Sequence, residues 1–206
     1  MTTNTTTWLL RFGAVAGVIF GLSLGVPGII EALTGETAVT SFIVGLGVAA
    51  FGVPALFALH LRQADVAGRF GAVAFAVNAI GLGLFAAGTF AFNLVLFFVE
   101  DSVSDAVLDG PTMWAILGTG LIFVVGTVLF GAAMVRSGVM PRAAAVGYSV
   151  ALVTIALLSS LDDSLISSLA HVVAAASLIT LSVRVWPEPS ARKATTGWVA
   201  DPAPVS

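Results

Sequence analysis

Long apolar runs alternate with short polar interruptions along this chain. Six runs stand out, at 8–31, 41–62, 69–99, 112–136, 142–161 and 164–186. A helix needs about 20 apolar residues to cross a hydrocarbon core of about 30 Å, and each run meets or approaches that length. The third is too long for an upright span, so tilt or a bend near Gly81 and Gly83 is expected to absorb the excess. Only "LDDS" separates the fifth run from the sixth, which predicts a tight hairpin. The pattern predicts an all-α fold, a six-helix transmembrane bundle over residues 1–186 with short loops. The Pro-rich polar stretch 187–206 is expected to be a disordered cytoplasmic tail.

Composition agrees with the pattern. Of 206 residues, 58% are hydrophobic and 9% charged, and the mean hydropathy is +1.08. A soluble domain carries about 25% charged residues, enough to cover a water-facing surface. The net charge of −3 gives no reason to expect a nucleic-acid partner. With no cysteine, disulfides, zinc thiolate sites and Fe–S clusters are excluded. The opening "MTTNTTTWLLR" leads into an apolar run longer than the core of a cleavable signal, so a retained first span is expected.

Charge placement adds orientation. Arg11, Arg62, Arg69, Arg136, Arg142, Arg184, Arg192 and Lys193 are all the Lys and Arg residues, and the six runs put them on one side. Glu31, Glu36, Glu100, Asp101, Asp105, Asp109, Asp162 and Asp163 fall on the other; Asp65, Glu188 and Asp201 accompany the basic residues. Positive residues mark cytoplasmic loops, so both termini are expected in the cytoplasm of a multi-pass plasma-membrane protein. Trp8 and Trp186 fit the inner interface and Trp114 the outer one.

The first run carries glycine at a spacing of four, at Gly13, Gly17, Gly21 and Gly25. In lipid no hydrophobic force draws one helix to another, and small residues allow close backbone packing. These four are therefore read as a helix-packing face, serving either the bundle itself or a homodimer. Gly45, Gly52 and Ala55, Gly147 and Ala151, and Ala170 and Ala174 suggest further close contacts. Segments 58–75 and 132–148 each leave a run at one arginine and re-enter after another, as positive-inside hairpins do without duplication.

Little in the chain carries chemistry. His60 lies near the basic side and His171 near the acidic side, too far apart in depth to share a metal or haem. No HExxH, Walker loop, GxGxxG or nucleophile elbow occurs. No catalytic residue, metal site or cofactor is assigned. One constellation concerns depth. His171, with Ser167 and Ser168 on its helical face, matches the depth of Asn93 and Thr119, and Asn78 and Thr89 share an arc of the third run with Asn93. These seven are the candidate ligand contacts. With Ser23 and Thr154 at similar depth on the first and fifth runs, His171, Asn93 and Thr119 predict an outer polar layer about 10 Å below the acidic loops. It reads as ordinary interhelical hydrogen bonding, or as an outward-open pocket for a cation or small polar ligand with His171 responding to protons.

The hairpin "LFGAAMVRSGVMPRAAAVGY" (129–148) resembles one found in small, uncharacterised six-span membrane proteins of high-GC prokaryotes. The resemblance implies about six helices and no particular activity. The sequence thus points first to a structural or partner-binding membrane module. A small transporter or sensor built on the outer polar layer comes second and an intramembrane enzyme third. The expected partners are the lipid bilayer and either further copies of the chain or a membrane partner protein.

Overall fold

The computed structural model describes residues 2–158 and 165–187, the side chains of residues 2 and 3 excepted. Among them all regular structure is helical: α1 (Thr2–Thr34), α2 (Ala38–Leu94), a 3-10 turn (Leu96–Phe98), α3 (Asp101–Leu108), α4 (Pro111–Ser137), α5 (Arg142–Leu158) and α6 (Leu165–Val185). By length and composition α1, α2, α4 and α6 can each cross a membrane; α5, of 17 residues, is a shorter apolar helix. Asp162, Asp163 and the Ser164 start of the last run lie outside the described residues, as does the tail beyond residue 187.

The 57-residue α2 holds the second and third apolar runs, and it is a hairpin rather than a rod. Gly68 sits at φ 58°, ψ −155°, the one non-helical residue inside it. That region of backbone space is essentially open to glycine alone. Contacts across the break pair residues of falling and rising number: His60 stacks on Phe75, Gly52 faces Leu82, and Gly45 faces Asn93 and Leu94. The two limbs, 38–67 and 69–94, therefore run antiparallel. Where the sequence suggested a polar connector over 62–69, helix persists on both sides of a one-residue reversal.

The third run ends sooner than expected. Its helix stops at Leu94, remains helical through Gly81 and Gly83, and gives way to the 3-10 turn and α3. The excess length is resolved by termination and an extra surface helix, not by a bend. At the other end of α4, Gly138 at φ 68° closes the helix in the left-handed conformation, and Pro141 precedes α5. The two arginine-flanked hairpins thus turn by different backbone devices.

Neighbouring helices close a ring in the order α1, first limb of α2, second limb, α4, α5, α6, and back to α1. Every interface is antiparallel, and each contains a glycine at which a methyl group would collide with the neighbour. Gly13 meets Ala58 and the Pro54 carbonyl; Gly25 and Gly28 meet Ala175 and His171 of α6. Gly45 separates the limbs of α2, and Gly81 and Gly126 let the second limb cross α4 backbone to backbone. Gly131 faces Ser149, and Gly147 faces Ser177. Large side chains fill the middle: Phe123, Phe130, Leu56, Leu59, Met134, Leu178 and Leu181 are fully buried. The outer surface is also apolar, with Val15, Ile19, Leu22, Leu121 and Val150 exposed. A chain that is apolar inside and outside suits a medium that offers its helices no water.

Candidate functional site

The two ends of the bundle differ in charge. Arg11 lies over the Trp186 ring at 5.9 Å, Arg62 Nε donates to the Arg184 carbonyl at 3.3 Å, and Arg136 lies over Phe70 at 4.9 Å. These contacts gather arginines of α1, the first limb of α2, α4 and α6 at one end, with Phe70 of the second limb beside them. The start of α1 and the end of α6 are therefore at the same end. The opposite end carries Glu31, Glu36 and the acidic α3 with Asp101 and Asp105. There Glu36 Oε1 accepts the amides of Ala38 and Val39 at 2.9 and 3.1 Å and caps α2. Arg192 and Lys193 lie outside the described residues.

The seven candidate residues occupy four separate places. His171 is half-buried, packs its Cβ over Gly28, and bonds through Nδ1 to the Ser167 carbonyl at 2.9 Å. Ser168 is buried, and its carbonyl approaches Gly28. Asn93 faces Gly45 and donates to the Thr89 carbonyl at 2.9 Å, and Thr119 donates to the Ile116 carbonyl at 2.7 Å. Each of these bonds returns to the residue's own helix. No hydrogen bond among the described residues joins His171, Asn93 and Thr119 to one another. A side-chain atom bonded to the preceding turn is not available to bond across an interface.

Asn78 behaves differently. Its Nδ2 donates to the Tyr148 hydroxyl oxygen at 3.1 Å, and its Oδ1 accepts from Thr127 Oγ1 at 3.2 Å. Ser149 Oγ extends the set toward the Thr127 carbonyl at 3.3 Å. Asn78 and Thr127 are 0% exposed and Tyr148 is 2% exposed. The network ties the second limb of α2 to α4 and α5, where Gly126 packs against the Asn78 backbone. Sequence reasoning named Asn78 but missed its partners. The signal was present: Asn78 is nine residues from Arg69, and Thr127 is nine from Arg136, so both lie at one depth measured from the basic end.

A second polar group sits nearer the arginines. Gln63 is fully buried and accepts from Ser137 Oγ at 3.1 Å, and His60 stacks on Phe75 with centroids 4.1 Å apart. His60 and His171 are thus at opposite ends. Among the described residues no three His, Cys, Asp or Glu side chains converge as a metal site. The four zipper glycines of α1 are buried within the chain: Gly13 on the first limb of α2, Gly17 on Ala55 and Ser182, and Gly21 and Gly25 on α6. They leave the outward face of α1 to Phe12, Val15, Ile19 and Leu22.

A concavity of about 280 Å³ opens on the outer surface between α4 and α5, lined almost wholly by apolar atoms and ending at Arg136. No family model, no curated protein and no solved structure matches this chain.

Proposed function

We propose that the chain is a six-span plasma-membrane protein, with both termini cytoplasmic, that acts as a closed packing module for a membrane partner or for further copies of itself. The observation that carries this is the segregation of charge: contacts bring the arginines of α1, the first limb of α2, α4 and α6 to one end, and the acidic residues of the α1–α2 turn and α3 lie at the other. Positive-inside bias supports the arginine end as cytoplasmic. Six antiparallel segments, counting both limbs of α2, support an even number of crossings.

The packing role rests on how the polar side chains are used. Asn78, Thr127 and Tyr148 bond to one another, and His171 Nδ1, Asn93 Nδ2 and Thr119 Oγ1 each bond a carbonyl of their own helix. Groups spent on internal bonds are poor ligands for a transported solute. Single cysteines test this in a chain that has none. In intact membranes His171→Cys and Asn93→Cys should resist a membrane-impermeant maleimide. Rapid labelling of both from the acidic side would overturn the module and favour the outward pocket of a transporter or sensor.

A further inference from the structure

The concavity between α4 and α5 has the chemistry of a lipid site. Val128, Val135, Val146 and Val150 wall it, and the buried Gly131 and Ala145 form its floor. The spacing explains the groove. Residues 128, 131, 132, 135 and 136 follow the i, i+3, i+4, i+7, i+8 pattern on α4, and 142, 145, 146, 149 and 150 repeat it on α5. Small residues at the facing positions let the two helices lie close while larger valines flank them. From Val128 to Arg136 the channel runs roughly 12 Å along the helix axis.

Each stripe ends in an arginine at the basic end of the bundle. Arg136 is the one charged residue lining the concavity, and its guanidinium is held over Phe70 at 4.9 Å. Arg142 opens α5 one turn beyond Ala145, where the free amides and positive end of that helix also favour an anion. Among the described residues neither arginine is paired with a carboxylate. Ser149, the remaining polar lining residue, has its hydroxyl already placed on the Ala145 and Thr127 carbonyls at 3.2 and 3.3 Å. The groove therefore offers apolar contact along its length and the unneutralised Arg136 at its basic end, with Arg142 one turn further along the same stripe of α5.

We infer that the α4–α5 groove binds one anionic phospholipid of the inner leaflet, with an acyl chain along the valines and the phosphate between Arg136 and Arg142. A basic mouth at headgroup level above an apolar channel complements that molecule in both charge and polarity. The inference rests on the membrane reading above, because the groove opens sideways, to where lipid would lie.

The test is native mass spectrometry of the detergent-solubilised chain titrated with phosphatidylglycerol or phosphatidylcholine. Three exposed-site variants accompany the wild type: Arg136→Gln, Ala132→Phe to fill the groove, and Arg69→Gln as a matched loss of charge at the same end. The expected result is retention of one phosphatidylglycerol in preference to phosphatidylcholine, reduced about tenfold in Arg136→Gln and Ala132→Phe and unchanged in Arg69→Gln. Equal retention of both lipids would overturn the site. So would equal losses in Arg69→Gln and Arg136→Gln, or full retention in Ala132→Phe. Recovery of the folded chain from membranes without detergent would instead remove the membrane reading itself.

Discussion

Tyr148 is the single tyrosine of the chain, and its hydroxyl accepts from a buried amide that has no water to turn to. An unpaired buried donor costs about 1–3 kcal/mol, although hydrogen bonds between membrane helices average only about 0.6 kcal/mol. Tyr148→Phe should therefore lower the free energy of unfolding in detergent micelles by about 1 kcal/mol. Thr180→Val, at an exposed threonine bonded to its own helix at Ala176, should change it by much less. Equal effects would show that the network adds no stability. At this scale the sequence was only partly legible. Asn78 and His171 look alike as rare polar residues in apolar runs, but the choice between bonding across an interface and bonding to the preceding turn depends on which residue faces them. A composition pattern along one helix does not carry that information.

Glycines behave at the level of elements. The sequence drew attention to α1 because its glycines recur every four residues, yet the same device operates at all six interfaces of the ring. Gly81 and Gly83 make the point two residues apart on one limb. A Cβ on Gly81 would lie 2.6 Å from Phe123 Cα and 2.8 Å from the Ile122 carbonyl oxygen, whereas a Cβ on Gly83 would meet nothing within 4 Å. Backbone cannot step aside as a flexible side chain can, so Gly81→Ala should destabilise the protein by about 1–3 kcal/mol. Gly83→Ala should stabilise it by about 0.5–1 kcal/mol, because alanine loses less backbone freedom on folding. Thermal unfolding of the two variants in micelles decides it, and shifts of the same sign would contradict the packing described here. Element existence was readable from the apolar runs. Their ends were not: the reversal at Gly68 replaces a polar loop, and α3 forms from a stretch that hydropathy treats as connector.

The whole molecule is organised by two signals that arise independently. Apolar length sets how many segments there are, and arginine placement sets which ends belong together. The structure joins those ends by contact, Arg11 to Trp186 and Arg62 to Arg184. What the sequence had no means to express was adjacency: α1 lies between α6 and α2, so the His171 and Asn93 side chains that matched in depth pack on different neighbours. The absence of cysteine makes orientation directly measurable. Single cysteines would replace Thr5 and Asp65 near the arginine end and Leu33 and Asp105 near the acidic end, all exposed positions. Labelling of intact cells with an impermeant maleimide should modify the cysteines at 33 and 105 at once, and those at 5 and 65 only after permeabilisation. Labelling of positions 5 and 33 from the same side, or the reverse assignment of the two ends, would contradict the account.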